Sequence, residues 1–241
     1  MVVGRKAFVV LALAGIVFVA IHFEIFSSSP KVRPLAINDS IVAFGDSITA
    51  GEGVASNESY PYLLQTMLKR TVINAGVTGE LSFEGLQRLP RVISENEPSL
   101  VILCHGGNDI LQKTGKEEAA KNIEEMVKIL KARDIDVVII GVPERGLILS
   151  SANFYKEVAD KYGLPYDGDV LPDIVSDSSL KSDAVHPNAK GNRLLAKSLE
   201  KLLRRAGAIK RLNDLSRVAG RAPRASLHVS TNTPIITTGE L

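Results

Sequence analysis

The chain has 241 residues, a net charge of +2, no Trp and only 5% aromatic residues. That length fits one α/β domain with additions at its ends, or at most two small domains. The weak charge and sparse aromatics argue against nucleic acid as a partner, and the single cysteine, Cys104, excludes an internal disulfide and reads as a small buried hydrophobe.

At the N-terminus Arg5 and Lys6 precede fifteen uncharged residues, Ala7 to Ile21. A basic start followed by an apolar stretch marks an exported chain. No good small-x-small cleavage site follows. With "HFEIF" included, the segment reaches a membrane-spanning length. Residues 1–26 therefore read as a retained signal anchor in preference to a cleaved signal peptide, with the rest of the chain in the periplasm or outside the cell. Residues 27–40, rich in Ser and Pro, read as a linker.

Beyond it, short apolar runs alternate with helical patterns. The strands are expected at Ile41–Phe44, Thr71–Asn74, Leu100–Cys104 and Val137–Val142, with a weaker one near Leu164–Tyr166. Helices are expected at Tyr62–Lys69, Glu84–Ile93 (despite Gly85 and Pro90), Lys116–Ala132, Phe154–Tyr162 and Asn188–Leu203. Near-continuous apolar strands separated by helices imply a parallel sheet covered on both faces. The expected fold class is α/β, a flavodoxin-like doubly wound domain of about five strands. After it, Arg204–Leu241 carries seven Arg and Lys against two acids and ends in a Ser-, Thr- and Pro-rich stretch. Residues 206–241 read as a basic, disordered tail.

In a doubly wound sheet, ligands bind beyond the carboxyl ends of the strands. Four segments carry polar or Gly-rich chemistry there: "GDSIT" with Ser47, "NAGVTG" with Gly76, "HGGND" with Asn108, and "SDAVHPN" with Asp183 and His186. Acyl transfer needs such a set. A serine hydroxyl is a weak nucleophile until a base takes its proton, and a carboxylate must orient the imidazole that does so. Of the four histidines, His22 lies in the anchor and His228 in the tail. His105 follows a strand directly and has no carboxylate at a comparable spacing. His186 has Asp183 three residues earlier and Pro187 just after it. The oxyanion needs donors, which the N–H groups of Ser47 and Gly76 and the side-chain amide of Asn108 supply. Asp46 and Asp109 read as acceptors that organise the loops. Leu147, Ile148 and Leu149 are candidates for an acyl-binding wall.

At these residues the sequence resembles the SGNH (GDSL) hydrolase family: Ser47 in "FGDSIT", Gly76 in "NAGVTG", Asn108 in "GGND" and His186 in "DAVHP", with Asp183 matching the family's acid. The resemblance covers Ile41 to Leu203, within a hydrolase domain expected at 41–205. It implies a three-layer flavodoxin-like hydrolase fold, a Ser–His–Asp triad of Ser47, His186 and Asp183, and an oxyanion hole of Ser47, Gly76 and Asn108. No cofactor and no metal are implied. Within the family, "GDSITAGEG", "GGND" and "HPNAKG" look most like the bacterial exported branch of arylesterases, acyl thioesterases and lysophospholipases, whose substrates are acyl esters or thioesters. Ala184 departs from the Gly common in that branch, and Glu52 stands where an aromatic is common.

Rival readings fare less well. No serine sits in G-x-S-x-G, and neither a P-loop nor a Rossmann fingerprint is present. A glycan O-acetylesterase and a non-catalytic binding protein on the same scaffold remain as alternatives.

Overall fold

The structure, a computed structural model, describes residues 31–112, 115–144 and 149–209. The expected anchor, most of the expected tail, and Leu147 and Ile148 of the expected acyl wall lie outside the described residues.

In chain order the elements are β1 (Ile41–Gly45), α1 (Ser47–Ala50), α2 (Tyr60–Leu68), β2 (Val72–Gly76), α3 (Ser82–Asn96), β3 (Leu100–Cys104), α4 (Gly107–Gln112) and α5 (Lys116–Ala132). They continue as β4 (Asp136–Ile140), β5 (Pro143–Glu144), β6 (Ser150–Ser151), α6 (Asn153–Tyr162), β7 (Tyr166–Asp167), α7 (Val170–Ser176) and α8 (Ala189–Ala206). Five strands form one sheet in the order β2-β1-β3-β4-β7, and every pairing is parallel. This is the doubly wound α/β fold expected from the alternating pattern. β5 and β6 form a separate antiparallel pair.

Every residue of β1 and β3 is buried, which is why their sequences, IVAFG and LVILC, are apolar without alternation. Helices cover both faces: α2 packs on α8 and α8 on α7, while α3 packs on α5 and α5 on α6. α5 shows how the sequence selects a face. Ala119, Ile123, Met126, Val127 and Leu130 are buried at helical spacing. α8 begins at Asn188, whose side chain accepts from the N–H groups of Lys190 and Gly191, and ends at Gly207 in the left-handed region with φ 90°.

Two differences from the sequence expectation have local causes. α3 runs from Ser82 through Pro90 to Asn96, because Leu89, Val92 and Ile93 on its buried face hold it across the proline. Residues 31–40 are more than a linker: Val32 and Leu35 are buried, and their N–H groups donate to the carbonyls of Ala206 and Ala208. Ala206, Ala208 and Ile209 are buried as well. The packed domain therefore starts before Ile41 and reaches at least Ile209.

Candidate active site

In the sheet order 2-1-3-4-7, the connections from β1 and β3 leave in opposite directions, and the crevice between their carboxyl ends is where such folds bind ligands. Ser47 follows β1 and opens α1, one residue after the Asp46 N-cap. Asn108 follows β3 at the start of α4. His186 comes from the loop ahead of α8, where Ser182 N–H donates to the His186 carbonyl, Asn188 N–H donates to the Leu180 carbonyl, and Lys181 bridges Pro187. Asn192 ties this loop to the scaffold. Its amide donates to the Pro187 carbonyl at 3.0 Å, and its oxygen accepts from Tyr60 N–H at 2.9 Å.

Ser47 Oγ lies 2.9 Å from His186 Nε2, and His186 Nδ1 lies 2.7 Å from Asp183 Oδ2. The other carboxylate oxygen of Asp183 accepts the N–H groups of Val185 and His186, each at 2.9 Å. Burial raises the pKa of Asp183, but the imidazole and these two N–H groups outweigh it and hold the carboxyl at about 2. Asp183 is thus a carboxylate near neutral pH and can only accept. The proton sits on Nδ1, and the Nε2 lone pair faces the serine hydroxyl.

The acids expected to organise the loops do so. Asp46 accepts from the N–H groups of Ile48 and Gly107, joining the loops after β1 and β3. Burial pushes its carboxyl up, and these N–H groups, with the nearby imidazoles, act against that. Asp109 accepts from the N–H and hydroxyl of Ser82, at 2.9 and 2.7 Å. Cys104 is fully buried, and burial raises its thiol well above the usual value, so it stays protonated and inert.

One expected donor, the Gly76 N–H, has a partner within its own strand. The N–H of Gly76 already donates to Asn74 Oδ1 at 2.9 Å. A Cβ on Gly76 would fall 2.1 Å from the Ala50 nitrogen, so this glycine is required by the close approach of α1 to β2. Gly79 differs. It sits in a turn closed by Glu80 N–H to the Val77 carbonyl, has φ +79° and faces open space. Among the described residues its N–H has no acceptor, and neither has that of Ser47. Asn108 is anchored beside this turn, its Nδ2 donating to the Glu80 carbonyl at 2.9 Å. An amide nitrogen carries two protons, so one remains for a ligand. Sequence reasoning did not single out Gly79, because "NAGVTG" holds two glycines and no pattern ranks them. The signal lies in which N–H the fold has already used.

Ser47, Asn108 and His186 line one cavity of about 100 Å³. Its apolar walls are Ile48, Leu111, Val142, Leu149, Val175 and Val185. Leu149 is the member of the expected acyl wall that the structure describes. Glu144, also on the lining, pairs with Lys116. Glu52 accepts from the Thr78 hydroxyl at 2.9 Å, which ties it to the turn carrying Gly79.

The profile of the GDSL-like lipase/acylhydrolase family matches residues 43–194 of this chain. The chain belongs to that family. The GDSL assignment is joined by curated relatives and solved structures. Over 179 residues the sequence is 26% identical to thioesterase 1/protease 1/lysophospholipase L1 of Escherichia coli K12, covering 70% of this chain and 85% of that one. The crystal structure of AlinE4, an SGNH-hydrolase family esterase, superposes with a TM-score of 0.52 at 30% identity, over 71% of this chain and 98% of that chain. The psychrotrophic esterase EstA from Pseudoalteromonas sp. shares the fold with a TM-score of 0.62 at 22% identity, over 69% of this chain and 97% of that chain.

Proposed function

We propose that this GDSL hydrolase is a serine esterase that cleaves acyl esters or thioesters through an acyl-enzyme on Ser47. The observation that carries the reading is the continuous hydrogen-bonded line from Ser47 Oγ through His186 to Asp183 at the mouth of an apolar cavity. As Ser47 attacks the acyl carbonyl, His186 Nε2 takes the hydroxyl proton, and Asp183 stabilises the imidazolium that forms. The oxyanion is held by the N–H groups of Ser47 and Gly79 and by the free Asn108 Nδ2 proton, with Gly79 in the role that the resemblance gives to Gly76. The alcohol or thiol leaves with the proton from His186. Water then attacks the acyl-enzyme with His186 as base. The apolar walls suit an acyl chain longer than acetyl, in keeping with the arylesterase, thioesterase and lysophospholipase names in this family.

The test is hydrolysis of p-nitrophenyl esters from acetate to palmitate by the full chain in detergent, with Ser47→Ala alongside. Turnover should fall by about 10⁶-fold in the mutant, and the wild-type rate should peak at an acyl chain longer than acetyl. Activity that survives in Ser47→Ala would overturn the mechanism, and activity confined to acetate would favour the O-acetylesterase alternative.

We also propose that residues 1–26 anchor the protein in the membrane, with the catalytic domain in the periplasm or outside the cell. The support is the basic start and apolar run of that segment. Resistance to alkaline carbonate extraction is the expected result, and release into the soluble fraction would refute it.

A further inference from the structure

A buried charge cluster stands directly behind two of the three donors proposed for the oxyanion, the Gly79 N–H and the Asn108 amide. Glu80 is 7% exposed. Its Oε1 accepts from Arg88 Nε at 2.7 Å, and its Oε2 accepts from Arg88 Nη2 at 2.7 Å and lies 2.9 Å from His105 Nε2. His105 is fully buried, and its Nδ1 accepts the Gly106 N–H at 2.8 Å. That leaves the ring proton on Nε2, where it is donated to Glu80. Arg88 also donates to the Ala75 carbonyl at 3.0 Å and lies over the Phe44 ring at 4.4 Å. The ring of His105 packs on Gly85, where a Cβ would fall 2.3 Å from Nε2. The carboxylate is thus held by donors from α3 and from the end of β3, so it has little freedom to move.

The main chain of the same residue leads to the site. The Glu80 N–H closes the turn that carries Gly79, and the Glu80 carbonyl receives the Asn108 amide. We propose that Glu80 is a positioning residue for ester hydrolysis: clamped by Arg88 and His105, it fixes the Gly79 N–H and the Asn108 amide where the oxyanion forms. This rests on the reading of Ser47, Gly79 and Asn108 given above. A buried ion pair is weak support for stability, and apolar groups of similar volume often replace one without loss. Its strength lies in direction: three hydrogen bonds fix the side chain at one distance and one angle. Oxyanion donors need that accuracy, since displacement by about 1 Å can cost on the order of 100-fold in rate.

The experiment uses the full chain in detergent, with Glu80→Gln, Arg88→Lys, Asn108→Ala and the double variant Glu80→Gln/Asn108→Ala. Each is titrated with a p-nitrophenyl phosphonate ester. The serine oxygen bonds to phosphorus and p-nitrophenolate leaves, so the burst counts competent sites. Glu80→Gln should keep its titre and its KM within about threefold, while kcat per titrated site falls by roughly 10- to 100-fold. In the Asn108→Ala background the same change should cost far less, because one donor it positions is already gone. If Glu80→Gln does not fold, Arg88→Lys carries the test, since it keeps the charge and loses the two-pronged contact. A kcat per site within twofold of wild type, or full multiplicativity with Asn108→Ala, would overturn the proposal. A wild-type protein that releases no burst, or Ser47→Ala that still turns over ester, would instead sink the underlying reading of the site.

Discussion

The two walls of the cleft are held by different means. On the serine side, Asp46, Asp109 and Glu80 are 2%, 4% and 7% exposed, and each accepts hydrogen bonds from a neighbouring loop or helix. On the histidine side the acid is Asp183, whose side chain is 53% exposed and whose bonds all stay within three residues. Buried carboxylates are costly unless their oxygens are satisfied, so the serine wall is rigid and intolerant. The bonds of Asp183 itself are short, local and in contact with water, so its electrostatics are screened and its contribution to stability is small. Loss of this carboxylate should therefore appear in chemistry alone, and damage to the serine wall in chemistry and stability together.

The largest effect that tests this contrast is expected from Asp183→Asn. The amide favours the wrong imidazole tautomer, and kcat should fall on the order of 10⁴-fold. The urea midpoint should stay where it is, and a collapse of that midpoint would erase the distinction between the walls. Asn108→Ala comes next. It removes one of the donors proposed for the oxyanion and should slow kcat by about 10²- to 10³-fold. It also leaves the Glu80 carbonyl without its amide partner, so a loss of about 1 kcal/mol in urea unfolding should accompany the kinetic defect.

Asp109→Ala should act mainly on stability. It strips the buried Ser82 N–H and hydroxyl of their acceptor, which costs about 2–4 kcal/mol in equilibrium unfolding. A loss below about 1 kcal/mol would show that the loop after β3 is held by other contacts.

The smallest effect is the acid response of Asp183. Its folded carboxyl titrates at about 2, below the ordinary 3.8. Its contribution is therefore complete above the ordinary value and lost as pH falls toward 2. Solvent screening reduces that contribution to less than about 0.5 kcal/mol, so the acid-unfolding curves of Asp183→Asn and wild type should overlay. Glu80 has the same sign and a different setting. Burial raises its pKa, but Arg88 and His105 outweigh this and bring it to about 2 from 4.5. Glu80→Gln should visibly flatten the loss of stability between those two pH values. Equal responses at the two positions would contradict the comparison.

What could be read from the sequence follows from how local the cause is. Leu100–Cys104 and Lys116–Ala132 were legible to the residue, because an unbroken apolar strand and a five-residue apolar stripe each carry their own signature. Asp183 and His186 were legible because their bond spans three residues. The partner of His105 was not: Glu80 lies twenty-five residues away, and only the sheet brings them together. Gly85 weakened the helical pattern around it, and the reason for it is the ring of His105, also distant in sequence. α4 and α7 were missed because six or seven residues are too few to display a period. Gly76 and Gly79 could be separated only by asking which N–H the fold had spent.

The packing of Val32 and Leu35 against the end of α8 has a practical corollary. The hydrolase signature begins near Ala43, and the apolar alternation that marks the fold begins at Ile41. A shortened protein cut at either point would look complete by motif. It would nonetheless lack the two main-chain donors that cover the Ala206 and Ala208 carbonyls, and it would uncover the apolar end of the helix that follows His186. Such a version is a candidate for poor expression and aggregation, whereas a cut before Lys31 keeps the seam closed.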